Sequence, residues 1–593
     1  TNWLSLRAQV STDITDVKQT LKYESEQPNS LYDPNGSFQS INRRYDIVYG
    51  DVMLNFNYNI NRFDIAATVG WTGRYENMNN MRVSTNGGLV TENWFDLNAS
   101  RYTPSSTLQR MELLKTGYMG TLSLGWDNYL FLELTGRQER SSTLKDQSFF
   151  YPSANLSFLF TQAFHMPSWW NYGKLRLSYG IVGNAPETYT ANIVYEQGSD
   201  NGFTWNTIPS SWGNADIRPE KKYEYEIGLE SKFLNNRLGI DISYYNNRVK
   251  DQILSTPQPS TSGVKNVLMN VGEVANHGWD ISISATPILT RDFRWDLTAN
   301  YGVYKNKVVK LADGVPYLEI LNSGGSGIKI QAVEGQPMGD IYAQVPQVNE
   351  NGEYLVSDKG LYLNQTELQK VGNINPAGVG GLFNSFSYKN VFLDFSIDFR
   401  IGGDVINEMN QYATAVGLTP ESLKYRDTEH GGLSYYYPGD NNSSGIPVQV
   451  DPSTGAGPNG EIIYHDGIIL PGVVASTGER NTRIIPAGYY YNTTYNWGTE
   501  AEQLTYRHSV FDNSYVKLRE LTIGYQFPEK MISKLGLGRL SVSVFGRNLF
   551  YFYKALKNYD AESSVGTSWA NQATVGSSTT ATRSFGVSLR ASF

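Results

Sequence analysis

The residues best suited to chemistry in this chain are aromatic and lie in long polar connections. Trp205 and Trp212 share one such stretch, and Tyr435, Tyr436, Tyr437, Tyr489, Tyr490, Tyr491, Tyr495 and Trp497 share the longest. A flat ring with a polar tip can stack on a sugar face or a peptide side chain and hydrogen-bond at the same time. The same rings can instead pack long loops together or meet a partner subunit, and both readings stand at this point. Reaction chemistry is otherwise poorly supplied. His165, His277, His430, His465 and His508 are scattered without metal-ligand spacing. There is no cysteine, which removes disulfides, thiol catalysis and iron–sulfur ligation. The glycine-rich stretches 324–327 and 378–381 lack the strand-to-helix setting of a phosphate loop. No Ser/His/Asp set sits on recognisable catalytic elements. The expectation is a protein that is not an enzyme, with no catalytic residue, no metal and no cofactor.

Composition narrows the partners. A formal net charge of -8 over 593 residues, without a basic stripe, argues against nucleic acid. Mean hydropathy is -0.40, and no apolar run approaches the roughly 18 residues of a membrane helix. Neither fact excludes a membrane, because barrel strands alternate and average out in a hydropathy window. The 41 Tyr, 12 Trp and 25 Phe suit aromatic belts at a membrane interface or a sugar-binding surface. No composition break or linker divides the chain, and no signal peptide opens it; Thr1-Asn2-Trp3 leads directly into an apparent strand. An exported protein beginning this way is expected to have its biological start upstream.

The elements that would carry the loops are two-faced strands. At the end of the chain Phe585, Val587, Leu589, Ala591 and Phe593 alternate with polar residues, giving one apolar and one wet face. The pattern recurs upstream, for example in Val52, Leu54, Phe56, Tyr58 and Ile60, and in Val391, Leu393, Phe395, Ile397, Phe399 and Ile401. Roughly sixteen such segments fit the membrane-strand template of about 9–11 residues. Between the apolar positions, Asn55, Asn57, Asp241, Ser243, Asp280, Ser282, Arg294, Asp296, Asp394, Asp398 and Arg400 read as facing a hydrated interior; an Arg turned to lipid at the midplane would cost about 2–4 kcal/mol. Trp279, Trp295, Tyr58 and Tyr244 read as interface-belt residues.

Connections alternate between short and long. Short ones fall near Asn61, Asp127-Asn128, Asn235-Asn236, Thr290, Lys389 and 528–538, with 162–173 somewhat longer. Long ones are expected at 11–44, 78–110, 185–221, 255–271, 311–379, 403–512 and 555–582, with 141–148 a short exception. Outer-membrane barrels have short periplasmic turns and long extracellular loops. The fold class read from these patterns is all-β: a transmembrane antiparallel β-barrel with unequal rims.

Six stretches carry a family resemblance: KLRLSYGIVGN (174–184), IRPEKKYEYEIGLESKFLNNRLGIDISYYNNRVKDQIL (217–254), NVGEVANHGWDISISATPI (270–288), GLFNSFSYKNVFLDFSIDFRIGGDV (381–405), NSYVKLRELTIGYQFPEK (513–530) and LSVSVFGRNLFYFYK (540–554). Together and in this order they resemble the SusC/RagA family of TonB-dependent outer-membrane transporters of Bacteroidota. The resemblance implies a 22-stranded barrel closed by a plug, of which residues 1–593 would be the C-terminal barrel portion, with plug, TonB box and first strands not in this chain. It further implies import of oligosaccharides or oligopeptides across the outer membrane of a Gram-negative bacterium, energised through TonB and assisted by a SusD-like surface lipoprotein. The region 361–378 (LYLNQTELQKVGNINPAG) departs from the acidic loop that many relatives carry there, and no calcium site is expected in it. A passive porin, a barrel hydrolase and a surface adhesin remain as alternatives. Protease added to intact cells is expected to cut within 403–512 before any short turn; first cleavage at Asn235-Asn236 would reverse the assigned rims.

Overall fold

The computed structural model describes residues 3–26, 35–145, 147–200, 202–259, 261, 263–323, 327–439, 445–496, 505–563, 568–576 and 581–592. Trp497, Phe593 and residues 324–326, named above, lie outside the described residues. Sixteen strands follow one another in a single sheet, each beside its sequence neighbours. They are β1 (Leu4–Tyr23), β2 (Ser37–Ile60), β3 (Phe63–Leu89), β4 (Ser100–Trp126), β5 (Leu130–Ser141), β6 (Ser148–Phe158), β7 (Trp170–Asn184) and β8 (Glu220–Phe233). The series continues with β9 (Leu238–Lys250), β10 (Glu273–Leu289), β11 (Phe293–Lys310), β12 (Gly378–Tyr388), β13 (Val391–Ile401), β14 (Tyr515–Gln526), β15 (Arg539–Lys554) and β16 (Ser584–Ser592). The chain divides into two compact units, Thr1–Ser231 with Ser243–Ala275, and Lys232–Ile242 with Asn276–Phe593. Among the described residues no helix is long and apolar enough to cross a membrane.

In the first unit the outer face of β2 exposes Val48, Val52, Leu54, Tyr58 and Ile60, while Asp51 and Met53 between them are buried on the other face. Phe63, Trp126, Tyr129 and Phe158 form an aromatic ladder beside the short turns. At the far end of the apolar band Trp71 lies opposite Tyr118, and both are exposed. The twelve residue steps from Phe63 to Tyr75 span about 40 Å along the strand, or about 30 Å at a tilt near 40°, the thickness of a bilayer's hydrocarbon core. Short turns use left-handed backbone where expected: Asp127 and Asn128 have φ of 52° and 60°, and Asn235 and Asn236 of 57° and 63°.

Two expected long loops are not loops. Most of 11–44 and 78–110 is strand, with only 24–36 and 90–99 left as connections. Beyond Tyr75, β3 continues fourteen residues to Leu89, about 48 Å further. Once the strands leave the membrane their amides still need partners, and extending the ladder supplies them; polar residues such as Glu76, Asn77, Asn79, Asn80 and Arg82 then fall on both faces, so the alternation that marks a membrane strand disappears.

The remaining long connections are folded. In the first unit a hairpin (Glu196–Asp200 with Phe203–Thr207) and a small sheet (Ser211–Trp212, Asn266–Asn270, Ile253–Pro257) accompany a core of Leu144, Phe149, Ala191 and Ile217. In the second unit the connections 311–377, 402–514 and 555–583 share one interior: Ile328, Ile330 and Ile341 pack with Ile406, Tyr506 and Val510 and with Ala570 and Ala573.

Polar locks brace this layer internally and fasten it to the wall. Asp340, fully buried, accepts from Asn373 Nδ2 at 2.7 Å and pairs with Lys370 at 2.8 Å. Asn375 donates to the Met338 carbonyl at 2.6 Å and accepts from Tyr304 of β11 at 3.0 Å. A second lock joins Glu562 to Lys517 of β14 at 2.5 Å and to Arg519 at 2.5 Å, and Arg519 also reaches Asp398 of β13 at 2.5 Å. Burial alone would raise the Glu562 carboxyl, but the hydrogen bonds from Arg519 and Lys517 outweigh it and hold the group at about 2.

Facing generates the first expectation. Leu393 lies opposite Phe386 and Ile523 on the apolar side, whereas its neighbour Asp394 accepts from Ser385 at 2.6 Å on the polar side. Leu393→Arg is expected to cost about 2–4 kcal/mol in lipid and to lower the yield of heat-modifiable barrel in membranes, with Asp394→Ala close to wild type; equal yields would contradict the facing. The Glu562 lock adds a pH expectation. Its contribution is complete above the ordinary glutamate value near 4.5 and is lost as pH falls towards about 2. The protection of amides 555–563 against hydrogen exchange, relative to the intrinsic rate at each pH, should therefore fall across that window, and Glu562→Gln should show low protection already at pH 7.

Candidate functional site

Two surfaces can meet a ligand: the polar face of the sheet and the folded loop layer. In the first unit the polar face holds a hollow of about 810 Å³ lined by Asn57, Asn59, Asp64, Ser123, Glu133 and Asn155. In the second a hollow of about 620 Å³ is lined by Asp394, Glu520, Thr522, Arg539, Ser541 and Arg590 among others. Strand alternation puts these groups on one face, as the sequence expects for Asn57 and Asp394. Charges on this face are mostly paired: Arg7 with Asp51 at 3.2 Å, Arg74 with Glu76 at 2.6 Å, Arg137 with Glu139 at 2.8 Å, Arg294 with Asp296 at 2.5 Å and Arg547 with Glu520 at 3.0 Å. A wall of paired charges presents hydrogen-bonding groups without a strong net field, which suits passage of neutral polar molecules. Among the described residues no three His, Asp or Glu converge to hold a metal.

The loop aromatics divide by environment. Tyr435 is 1% exposed, stacks on Tyr464 at 5.5 Å and donates to Asp466 at 3.1 Å; burial, followed by the Asp466 charge, pushes its hydroxyl pKa up. Tyr437 packs in the same cluster. Tyr491 is 4% exposed in a separate cluster, donates to the carbonyls of Glu421 and Lys424, lies under Arg426 at 5.2 Å, and is pushed up to about 12 by burial. These three rings pack the loop layer. Tyr436, Tyr489, Tyr490 and Trp212 are half-buried, and Trp212 meets Tyr195 edge-on at 5.7 Å. Trp205 is 46% exposed on the hairpin, its ring laid across Gly198, where a side chain would collide. Tyr495 stacks on His508 at 4.4 Å, and burial, aided by Arg507, pulls that imidazole down to about 4. Trp205 and Trp212 belong to the first unit and the described tyrosines of the largest loop to the second.

The two locks were not read from the sequence. Asp398 was assigned to the interior, and Asn373 and Asn375 sit in a quoted stretch, but their partners lie at Arg519, Asp340 and Met338. Separations of 33 to 121 residues leave no local signal.

Comparison with known proteins agrees with this geometry. Residues 1–333, more than half of the chain, match the family model "TonB dependent receptor-like, beta-barrel". TonB-dependent receptor P3 of Formosa agariphila is 24% identical over 494 residues, covering 76% of this chain and 42% of that protein. TonB-dependent receptor SusC of Bacteroides thetaiotaomicron is 30% identical over 247 residues, 38% of this chain and 24% of that one. The RagAB peptide importer in its open-open state superposes with a TM-score of 0.70 at 18% identity, covering all of this chain and 59% of that one. This chain thus spans less than half the length of the curated relatives it matches. The alternating sheet, the unequal rims and a match over the first 333 residues converge: the chain belongs to the TonB-dependent receptor β-barrel family, a family of outer-membrane receptors and not of enzymes.

Proposed function

We propose that this chain is the barrel portion of a SusC/RagA-type importer that brings oligosaccharides or oligopeptides across the outer membrane of a Bacteroidota-type bacterium. The observation that carries the reading is a polar, charge-paired inner face beneath a loop layer with its own core, locked to the wall at Tyr304–Asn375 and at Glu562–Arg519. Such a layer can hold a ligand at the mouth while the inner face offers hydrogen bonds along the route. A SusD-like lipoprotein would cover the loops, and TonB would supply energy by acting on a plug within the barrel. Of the eight aromatic residues among those described, Trp205, Trp212, Tyr436, Tyr489 and Tyr490 are exposed or half-buried and offer ring surface for ligand stacking, whereas Tyr435, Tyr437 and Tyr491 support the loops that present them.

The test is uptake of labelled oligomers by cells carrying the whole transporter. Uptake should saturate and should stop when the proton-motive force is dissipated, and the transporter should copurify with a surface lipoprotein. Trp205→Ala should raise the half-saturation concentration roughly three- to tenfold, the worth of one stacking contact, with the amount of protein in the membrane unchanged. Uptake that continues without energy would replace this reading with a passive channel.

A further inference from the structure

We propose that the outer face of β10 and β11, just beyond the aromatic girdle, binds the phosphorylated headgroup of a lipid in the leaflet at the loop rim. This rests on the outer-membrane placement of the barrel. The facing is fixed by the residues that turn the other way. On β11, Tyr304 donates to Asn375 at 3.0 Å, Asn306 accepts from the Met338 amide at 2.8 Å, and Val308 is fully buried; all three tie the strand to the loop layer. The alternate residues Tyr301, Lys305 and Lys307 therefore point away from that layer, and both lysines are exposed. On β10, Asp280 lies beside Gly302 on the inner side, so its neighbour Trp279, 49% exposed, and His277, two residues nearer the loop rim, face outward.

Tyr301 stacks on Phe399 at 6.0 Å, and Gly378 and Gly380 leave the space in which these two rings lie. Together with Trp279 they mark the end of the apolar band. Lys305 and Lys307 are twelve and fourteen residues past Phe293 at the short-turn end of the strand, about 40 and 46 Å along it, or roughly 30 and 35 Å along the membrane normal at a tilt near 40°, against a hydrocarbon core of about 30 Å. That is the headgroup layer, and the flexible stems let the ammonium groups reach into it. Charge selects the occupant. Three other lysines of this unit close onto carboxylates: Lys310 on Asp313 at 3.3 Å, Lys329 on Glu319 at 2.6 Å, Lys370 on Asp340 at 2.8 Å. Among the described residues neither Lys305 nor Lys307 has such a partner. Two unpaired ammonium groups and an imidazole, continuous with a membrane belt, complement a phosphate carried at the interface.

The test uses the whole transporter purified from membranes in detergent, with thermal unfolding followed during titration. The probes are phosphorylated lipid A, the same lipid dephosphorylated, and inorganic phosphate. Phosphorylated lipid should raise the unfolding midpoint at lower concentration than the dephosphorylated form. Lys305→Gln with Lys307→Gln should weaken that response roughly fivefold per lysine, while Lys305→Arg with Lys307→Arg, and Lys310→Gln, should keep it. Equal responses to the two lipids, an unchanged response in the double glutamine variant, or the same response to inorganic phosphate would each overturn the proposal. Recovery of the wild-type protein in the aqueous fraction would instead overturn the membrane placement on which it stands.

Discussion

One constraint governs the molecule: in hydrocarbon every backbone N–H and C=O must find its partner inside the protein. Sixteen strands paired in chain order answer it, and much of the remaining organisation follows. Pairing makes side chains alternate between two environments, so a polar lining and an apolar band arise from the same segments. Pairing also fixes register: placing Leu393 against Phe386 commits Asp394 to Ser385 and to the polar side.

The strands and their order were largely legible, because this alternation is written locally. The turns at Asp127-Asn128 and Asn235-Asn236 and the connections following β7, β11, β13 and β15 fall where residue types put them. The upper halves of β1 to β4 were not legible. Pairing there is no longer accompanied by a lipid-facing side, and stretches such as Asn77, Asn79 and Arg82 carry no alternating pattern. Strand structure is then decided by the neighbouring strand, which a linear reading does not contain.

The loop layer was legible in position but not in construction. Clusters such as Tyr435-Tyr436-Tyr437 signal that something aromatic happens, yet the split between a buried Tyr435 and a half-buried Tyr436 depends on Tyr464, nearly thirty residues on. The same holds for the ionic lock. Arg519 sits at a register shift in which β14 gains a residue over β13, and that irregularity lets Lys517, Arg519 and Asp398 all reach the same region as Glu562. Such a lock is worth more than a solvent-exposed pair because Lys517 is almost wholly buried, so losing its partner would strand a charge.

Because three separate connections of the second unit contribute to one interior, none of them is an independent module. A recombination event that imported one connection from a relative would bring half of a packing interface and leave Ile328, Ile406 or Ala570 facing mismatched neighbours. Diversification of this mouth is therefore constrained to proceed by coordinated change across nearly three hundred residues of chain, or by substitution at rings such as Trp205 that no interior depends on.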